Sequence, residues 1–234
     1  MTKPMKTILK SVLPNREMLL PILTGPFRGA IIRLHPRHSF RKVLGIYEHE
    51  LNGWLTAVLP NVNTVIDIGA NDGYFTFGCA AAFQRLKKQG KVLAYEPEPQ
   101  MFESLRLSVQ KHQDSQVQIF IHKCFVGANI SSEETTLNEI ARQGGAGKLP
   151  ENTLIKMDVE GAEIDVISQA SAWLNSTNYF LIEVHEEPFL KILTETFDAH
   201  GLKLKQINQH PLPIIGYETR SRLNWWLVSD LSGK

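Results

Sequence analysis

Glycines and acids in the first half of the chain have the types and the spacing of a nucleoside-binding site. The apolar run Val65–Ile68 predicts a buried strand, and Gly69–Gly73 predicts a tight turn before a helix. A strand, a glycine turn and a helix form the front of a nucleotide-binding βαβ unit. The next predicted strand, 91–95, ends at Glu96, where a carboxylate can accept hydrogen bonds from both ribose hydroxyls. These residues therefore predict a bound nucleoside.

The spacing within the turn indicates which nucleoside. The pattern is Asp67-x-Gly69-x-x-x-Gly73, and Asn71 occupies the place of the second glycine of a dinucleotide fingerprint. A side chain at that place would crowd a pyrophosphate, and the Asp67 carboxylate would repel one. The same carboxylate suits a ligand with an ammonium group, such as the methionine end of S-adenosylmethionine. A dehydrogenase is therefore disfavoured, and a helix-capping turn without a ligand is the structural alternative.

A second group of polar residues lies at the ends of two later strands. Period-two alternation places Lys156, Asp158 and Glu160 on one face of the fourth predicted strand of the unit. His185 and Glu186 follow the fifth. Charged side chains are costly to bury unless they are paired, so this group predicts a polar site at the carboxyl edge of the sheet.

Two kinds of chemistry fit this second group. His185 or Asp158 could act as a general base for a substrate hydroxyl, with Glu160 or Glu186 orienting it. Alternatively, Asp158, His185 and Glu186 offer the oxygen and nitrogen ligands that suit a divalent metal ion. Glu163 falls in the first turn of the next helix, where a carboxylate favours the helix dipole, so a capping role is predicted for it rather than catalysis.

The elements that position these residues predict an α/β fold. Strand patterns alternate with helical patterns from residue 64 to residue 200, which is typical of a mostly parallel sheet with helices on both faces. The last two predicted strands, 202–207 and 223–228, have no helix between them, so we expect an antiparallel hairpin at one edge. The irregular stretch 129–150 is expected to form a lid or a substrate wall.

The N-terminal segment differs from the rest in charge. Residues 1–42 carry nine Lys and Arg against one Glu, a net charge of +8, so the remainder is near −7 for a total of +1. Residues 1–44 are expected to form a basic extension, partly mobile or folded as a small hairpin of 27–34 and 41–46, followed by the main domain 45–234. A basic arm could make weak contact with a membrane surface.

Length and composition limit the remaining options. A chain of 234 residues with 43% hydrophobic residues is expected to form one α/β domain with a large core. The two cysteines, Cys79 and Cys124, provide no disulfide framework and indicate buried thiols in a reducing compartment. The sequence has no apolar run long enough to span a membrane. A cytoplasmic protein is therefore expected.

Together the two polar groups resemble the FkbM family of S-adenosylmethionine-dependent methyltransferases. The match extends from residue 45 to about residue 230, and its most specific part is the segment IKMDVEGAE. The motifs that carry it are GIYE at Gly45–Glu48, IDIGANDGY at Ile66–Tyr74, YEPEP at Tyr95–Pro99, TLNE at Thr136–Glu139, IKMDVEGAE at Ile155–Glu163 and IEVH at Ile182–His185. The chain departs from the family pattern at Asn138, where an acid is usual.

The resemblance implies a class I, Rossmann-like three-layer sandwich that binds S-adenosylmethionine. Its implied cofactor residues divide by the part of the ligand they would hold. The methionine end would lie near Asp67, Gly69, Asn71 and Gly73, the ribose at Glu96, the adenine near Pro97, and Glu48 would close over the cofactor. The implied reaction is O-methylation of a hydroxyl on a sugar, glycolipid or polyketide-type small molecule.

Two other functions are compatible with these residues. One is a protein that keeps the methyltransferase fold but binds without turnover, although intact Asp67, Glu96 and Asp158 argue against it. The other is a methyltransferase acting on nucleic acid, which the N-terminal charge alone favours. The chain has no Asn/Asp-Pro-Pro-aromatic motif after the fourth strand, which an enzyme methylating amino groups of flipped bases would be expected to show.

Overall fold

The computed structural model describes residues 13–112, 116–143, 150–213, 216–217 and 225–232. The strands in this part of the chain are β1 Met18–Pro21, β2 Ile31–Leu34, β3 Thr64–Ile68, β4 Gly90–Tyr95, β5 Val117–His122, β6 Phe125–Val126, β7 Glu134–Thr135, β8 Thr153–Met157, β9 Tyr179–Val184, β10 Leu204–Ile207 and β11 Trp225–Ser229. The helices are α1 Phe40–Leu44, α2 Asn52–Val58, α3 Tyr74–Arg85, α4 Pro99–Val109, α5 Leu137–Gln143, α6 Glu163–Ser168 and α7 Glu187–Ala199.

The central sheet has seven strands in the order β10-β11-β9-β8-β3-β4-β5. The five strands from β9 to β5 run parallel, whereas β11 pairs antiparallel with both β9 and β10. The predicted mostly parallel sheet with an antiparallel hairpin at its C-terminal end is therefore confirmed. The carboxyl ends of β3, β4, β8 and β9 lie at one edge, where open α/β sheets bind ligands.

Alternate residues of each strand pack into different hydrophobic cores, one on each face of the sheet. Val65 and Leu154 belong to the core that includes α2, α3 and α4, and their neighbours Ile66 and Ile155 belong to the core under α5, α6 and α7. Strands buried on both faces account for continuous apolar runs in place of strict alternation. The three-layer arrangement expected from the sequence is thus present.

The N-terminal segment folds against the first of these cores. β1 and β2 form an antiparallel hairpin, and Phe27 in its connection packs edge-on against Tyr74 and Phe75 of α3. The sequence prediction placed a strand at 41–46, and this was wrong because those residues fall in α1 and the left-handed Gly45 that ends it. A six-residue apolar and basic run is too short for periodicity to distinguish a strand from a helix.

Residues 129–143 of the predicted lid contain β7, which pairs with the preceding strand β6, and α5, whereas 144–149 lie outside the described residues. Cys79 is buried, and its thiol has a pKa raised well above the usual value by that burial. None of the helices in the described ranges combines the length and the apolar composition needed to cross a bilayer.

Candidate active site

Two glycines give the turn after β3 its shape. Gly69 has φ +74°, and a Cβ placed there would lie 1.9 Å from the carbonyl oxygen of Asp158. Gly73 has φ +86°, and a Cβ there would lie 2.4 Å from the ring of Phe77. Both positions therefore exclude a side chain for steric reasons as well as conformational ones. The turn passes directly over the end of β8, which brings the predicted cofactor residues next to Asp158.

Glu96 closes the same turn from the end of β4. Its carboxylate accepts hydrogen bonds from the backbone N–H of Asn71 at 2.7 Å and of Glu98 at 2.8 Å, and the residue is 6% exposed. Burial raises the pKa of Glu96, although both backbone hydrogen bonds act to lower it. Pro97 follows half-buried. Each carboxylate oxygen retains lone-pair capacity, so Glu96 can still accept hydrogen bonds from a ligand.

Asp67 lies beneath the turn rather than on its surface. It is fully buried, its Oδ2 accepts a hydrogen bond from the Thr76 hydroxyl at 2.5 Å, and its Oδ1 lies 3.3 Å from Lys156 Nζ. Burial raises the pKa of this carboxyl, and the Lys156 charge and the Thr76 hydrogen bond oppose that rise. Asp67 therefore acts on the turn through these two partners.

Lys156 connects the two predicted groups of polar residues. It pairs with Asp67 in the β3–β8 register, and its Nζ donates a hydrogen bond to the Gly69 carbonyl at 2.7 Å. The same Nζ lies 3.5 Å from Asp158 Oδ2. Burial lowers the pKa of Lys156, but the charges of the surrounding carboxylates outweigh it and raise the pKa overall. The lysine is therefore charged while almost completely buried.

His185 is held by Glu163, for which the sequence predicted a helix-capping role. Its Nδ1 lies 2.6 Å from Glu163 Oε1, and Glu163 is fully buried at the start of α6. A carboxylate accepts hydrogen bonds, so Nδ1 is the donor and, in the neutral ring, Nε2 is left as a proton acceptor. That Nε2 lies 3.6 Å from Asp158 Oδ1. Asp158 and His185 are thus brought together as predicted.

The pKa of His185 reflects the same neighbours. Burial lowers it, but the hydrogen bond to Glu163 and the charges of Glu163, Glu183 and Asp158 together raise the pKa above its ordinary value. A raised pKa makes the ring a stronger base in the pH range where it is neutral.

The two other acids of the predicted catalytic group lie elsewhere at the rim. Glu160 and Glu186 have exposed side chains, and Glu160 adopts a left-handed backbone with φ +47° just beyond the end of β8. Strand β8 ends at Met157, so the period-two alternation used to place Glu160 beside Asp158 does not extend that far. Glu163 is the acid that contacts the histidine.

A donor set that could hold a divalent metal is also present, with one member changed. Asp158, Glu183 and His185 each have a ligand atom within 4.8 Å of the others, whereas the sequence prediction used Glu186 in place of Glu183. Glu183 is 4% exposed near the end of β9. The sequence did contain a signal for it, because Glu183 lies near the end of the predicted strand and two residues before His185, the spacing of residues that share a face in extended chain.

Glu48 approaches from the N-terminal side. It has φ +50°, and its charge acts on Lys156. The preceding Tyr47 packs edge-on against Tyr74 with ring centroids 5.4 Å apart, and Lys42 pairs with Asp72 of the turn at 2.5 Å. These contacts hold the segment that carries Glu48 against the glycine turn and the first turn of α3.

Comparison with known proteins places this geometry in a class. The sheet order and the site at its carboxyl edge fit a class I, Rossmann-like methyltransferase fold. The family model and the relatives given below make it an FkbM-like methyltransferase. A family model described as Vibrio cholerae RfbT protein matches residues 30–198, and the chain belongs to that family.

Individual relatives are distant. The hexuronic acid methyltransferase AglP of Haloferax volcanii is 22% identical over 137 residues, which are 51% of this chain and 54% of AglP. The structure of methyltransferase FkbM from Methylobacillus flagellatus KT aligns with a TM-score of 0.56 at 20% identity, over 73% of this chain and 44% of that one. The METTL16 methyltransferase domain aligns with a TM-score of 0.50 at 14% identity, over 76% and 66% of the two chains. The chain thus spans about half the length of the first two.

Proposed function

We propose that this protein is an S-adenosylmethionine-dependent methyltransferase that methylates a hydroxyl group of a sugar or glycan. The observation that carries the proposal is the contact between buried Glu163 and half-buried His185, which leaves Nε2 as a proton acceptor beside Asp158 at the edge of the glycine turn. The sugar acceptor is supported by the name of the hexuronic acid methyltransferase to which the chain is similar. O-methylation is supported by the presence of a base, because a hydroxyl is a poor nucleophile at neutral pH.

The cofactor residues divide the work as the geometry suggests. Gly69, Asn71 and Gly73 form the turn that would cradle the methionine end, and Glu96 would accept hydrogen bonds from the ribose hydroxyls beside Pro97. Bound S-adenosylmethionine supplies an electrophilic methyl group on a sulfonium sulfur. The glycine turn and the Glu96 carboxylate would hold the cofactor in a fixed position relative to His185, and positioning of this kind provides a large part of the rate enhancement.

His185 performs the proton transfer. Its neutral Nε2 would accept the proton of the acceptor hydroxyl as that oxygen takes the methyl group that bound S-adenosylmethionine would supply, with S-adenosylhomocysteine as the other product. Glu163 holds the ring orientation and stabilises the imidazolium that results. Asp158 lies where it can accept a hydrogen bond from the acceptor or from protonated His185.

Calorimetric titration with S-adenosylhomocysteine tests the cofactor assignment. The parent protein and the control Glu195→Ala, an exposed acid on α7, should bind with affinity in the micromolar range. Glu96→Ala should lose at least roughly tenfold in affinity, since it removes the acceptor of two hydroxyl hydrogen bonds. A folded parent that does not bind would contradict the proposal.

An acceptor screen tests the reaction itself. Free hexuronic acids, neutral glycans and RNA are incubated with S-adenosylmethionine, with and without magnesium, and products are identified by mass spectrometry. A methyl ether on a sugar is the expected product. Methylated RNA would overturn the sugar assignment, and binding without any methyl transfer would favour a binding protein of the same fold.

A further inference from the structure

We propose that Lys156 is the resident cation of this acidic centre, a positioning residue that holds the cofactor turn and the acceptor-side acids together and fills the role a divalent ion would otherwise have. The functional importance of this role rests on the proposed methyl transfer. The effect of the Lys156 charge on stability and on ligand binding can be measured without any turnover.

Carboxylates from four segments surround this lysine. Asp67 of β3 lies 3.3 Å from Nζ, and Asp158 beyond β8 lies 3.5 Å away. The charges of Glu48 from the N-terminal segment and of Glu183 from β9 also act on it. Four acids therefore act on one ammonium group, and for the buried Asp67 and Glu183 its positive charge offsets part of the cost of burying a carboxylate.

Lys156 lies next to the donor set described above. Asp158 and Glu183 supply two of the three ligand-type atoms that lie within 4.8 Å of one another. Both already interact with the lysine charge. The ammonium group already neutralises part of the negative charge that would attract a divalent ion to these carboxylates. It would also repel such an ion directly.

The lysine also reaches the cofactor turn directly. Its hydrogen bond to the Gly69 carbonyl at 2.7 Å links the charge cluster to the backbone that would hold the methionine end. Lys156 is 6% exposed, so solvent does not replace this donor when it is removed. Loss of Lys156 should therefore affect cofactor affinity as well as the acids.

Asp67 is the acid that removal of Lys156 should affect most. The groups that face it are the Thr76 hydroxyl, the Lys156 ammonium and the carboxylates of Asp158 and Glu96, with the Cys79 thiol nearby. Lys156 is the cation in this group, so without it the folded-state pKa of Asp67 rises further. An acid with a raised folded-state pKa costs stability as pH rises from its ordinary pKa toward the raised one.

The experiment uses thermal unfolding between about pH 5 and about pH 8, with and without roughly millimolar Mn²⁺. The variants are Lys156→Met, the charge-conserving Lys156→Arg, and the double variant Lys156→Met with Asp67→Asn. Lys191→Met, at an exposed lysine of α7, is the matched control. Titration with S-adenosylhomocysteine is run on every variant that folds.

We expect the parent, Lys156→Arg and Lys191→Met to show the same pH dependence and no stabilisation by Mn²⁺. Lys156→Met should lose stability steeply as pH rises and be stabilised by Mn²⁺, and the added Asp67→Asn should remove the steep slope. The double variant should bind S-adenosylhomocysteine at least about tenfold more weakly than the parent, because the Gly69 carbonyl has lost its donor.

Three results would overturn the inference. The first is stabilisation of the parent by Mn²⁺, which would place an ion beside the lysine. The second is a Lys156→Met protein with the parent's pH slope. The third, available even when the single variant does not fold, is parent-like affinity of the double variant for S-adenosylhomocysteine. Absence of binding by the parent itself would instead count against the proposed function.

Discussion

The site has two parts, a cofactor edge at the glycine turn and Glu96 and an acceptor edge around His185. Different kinds of group fix their geometry. Around the glycine turn the groups that fix the geometry are mostly backbone: the left-handed Gly69 and Gly73 and the two N–H groups bound by Glu96. Around His185 they are side chains, namely Glu163 and Asp158, contributed by segments more than twenty residues away along the chain. One edge depends on the shape of the chain and the other on which side chains meet.

This difference separates two kinds of failure. A side chain added at a glycine of the cofactor edge would clash with neighbouring atoms, so it should impair folding and ligand binding together. A side chain exchanged at the acceptor edge leaves the backbone in place, so it should damage the rate of reaction and leave cofactor binding intact. Four substitutions, taken from the largest expected effect to the smallest, test this separation.

Gly69→Ala should have the largest effect. Its Cβ would lie 1.9 Å from the Asp158 carbonyl oxygen at φ +74°, so we expect a loss of more than about 3 kcal/mol in the free energy of unfolding. Binding of S-adenosylhomocysteine should be lost in whatever protein folds. The control is Gly53→Ala, where nothing lies within 4 Å of the new Cβ. Parent-like unfolding of Gly69→Ala in urea would contradict the steric argument.

His185→Gln should come next, with a different pattern. It removes the proton acceptor, so kcat should fall by roughly 100- to 10,000-fold while affinity for S-adenosylhomocysteine stays at the parent value. His200→Gln, at an exposed histidine that follows α7, is the control and should keep full activity. Equal losses of binding and rate in His185→Gln would show that the two edges are not separable.

Glu163→Gln should have a smaller effect with a characteristic pH signature. His185 must be neutral to act as a base, so kcat/KM should rise as pH rises through its pKa, which Glu163 helps to hold above the ordinary value. Removing that charge lowers the pKa and moves the acidic limb of the profile to lower pH. The maximal rate should fall about tenfold because the ring is held less firmly. An unmoved acidic limb would exclude Glu163 as the partner of the base.

Glu186→Gln should have the smallest effect. The side chain is exposed and lies outside the contacts described for His185, so we expect kcat to change by less than about threefold. A loss comparable to that of His185→Gln would restore the sequence-based assignment of this acid and weaken the role given to Glu163. The comparison is made at the pH optimum of the parent, in the same acceptor assay.

Most of the fold could be predicted from the sequence because its signals are local. The glycine spacing of the turn, the apolar runs of β3 and β8 and the lack of a helical sequence pattern between the last two predicted strands are each read from a few neighbouring residues. The segment 41–46 was assigned to a strand instead of a helix because its local signal is weak. Contacts of Arg41 with the carbonyls of Gly216 and Tyr217, far along the chain, accompany its helical conformation.

The sequence by itself determined that acids, a lysine and a histidine would gather at the carboxyl edge of a parallel sheet, because strand ends and their order follow from short-range patterns. Tertiary structure alone decided which of them touch. Gly161, at φ +102°, turns the chain so that Glu163 reaches His185 of the neighbouring strand. The β3–β8 register places Lys156 opposite Asp67. Pairing of this kind depends on distances between separate segments, which residue types and local spacing do not specify.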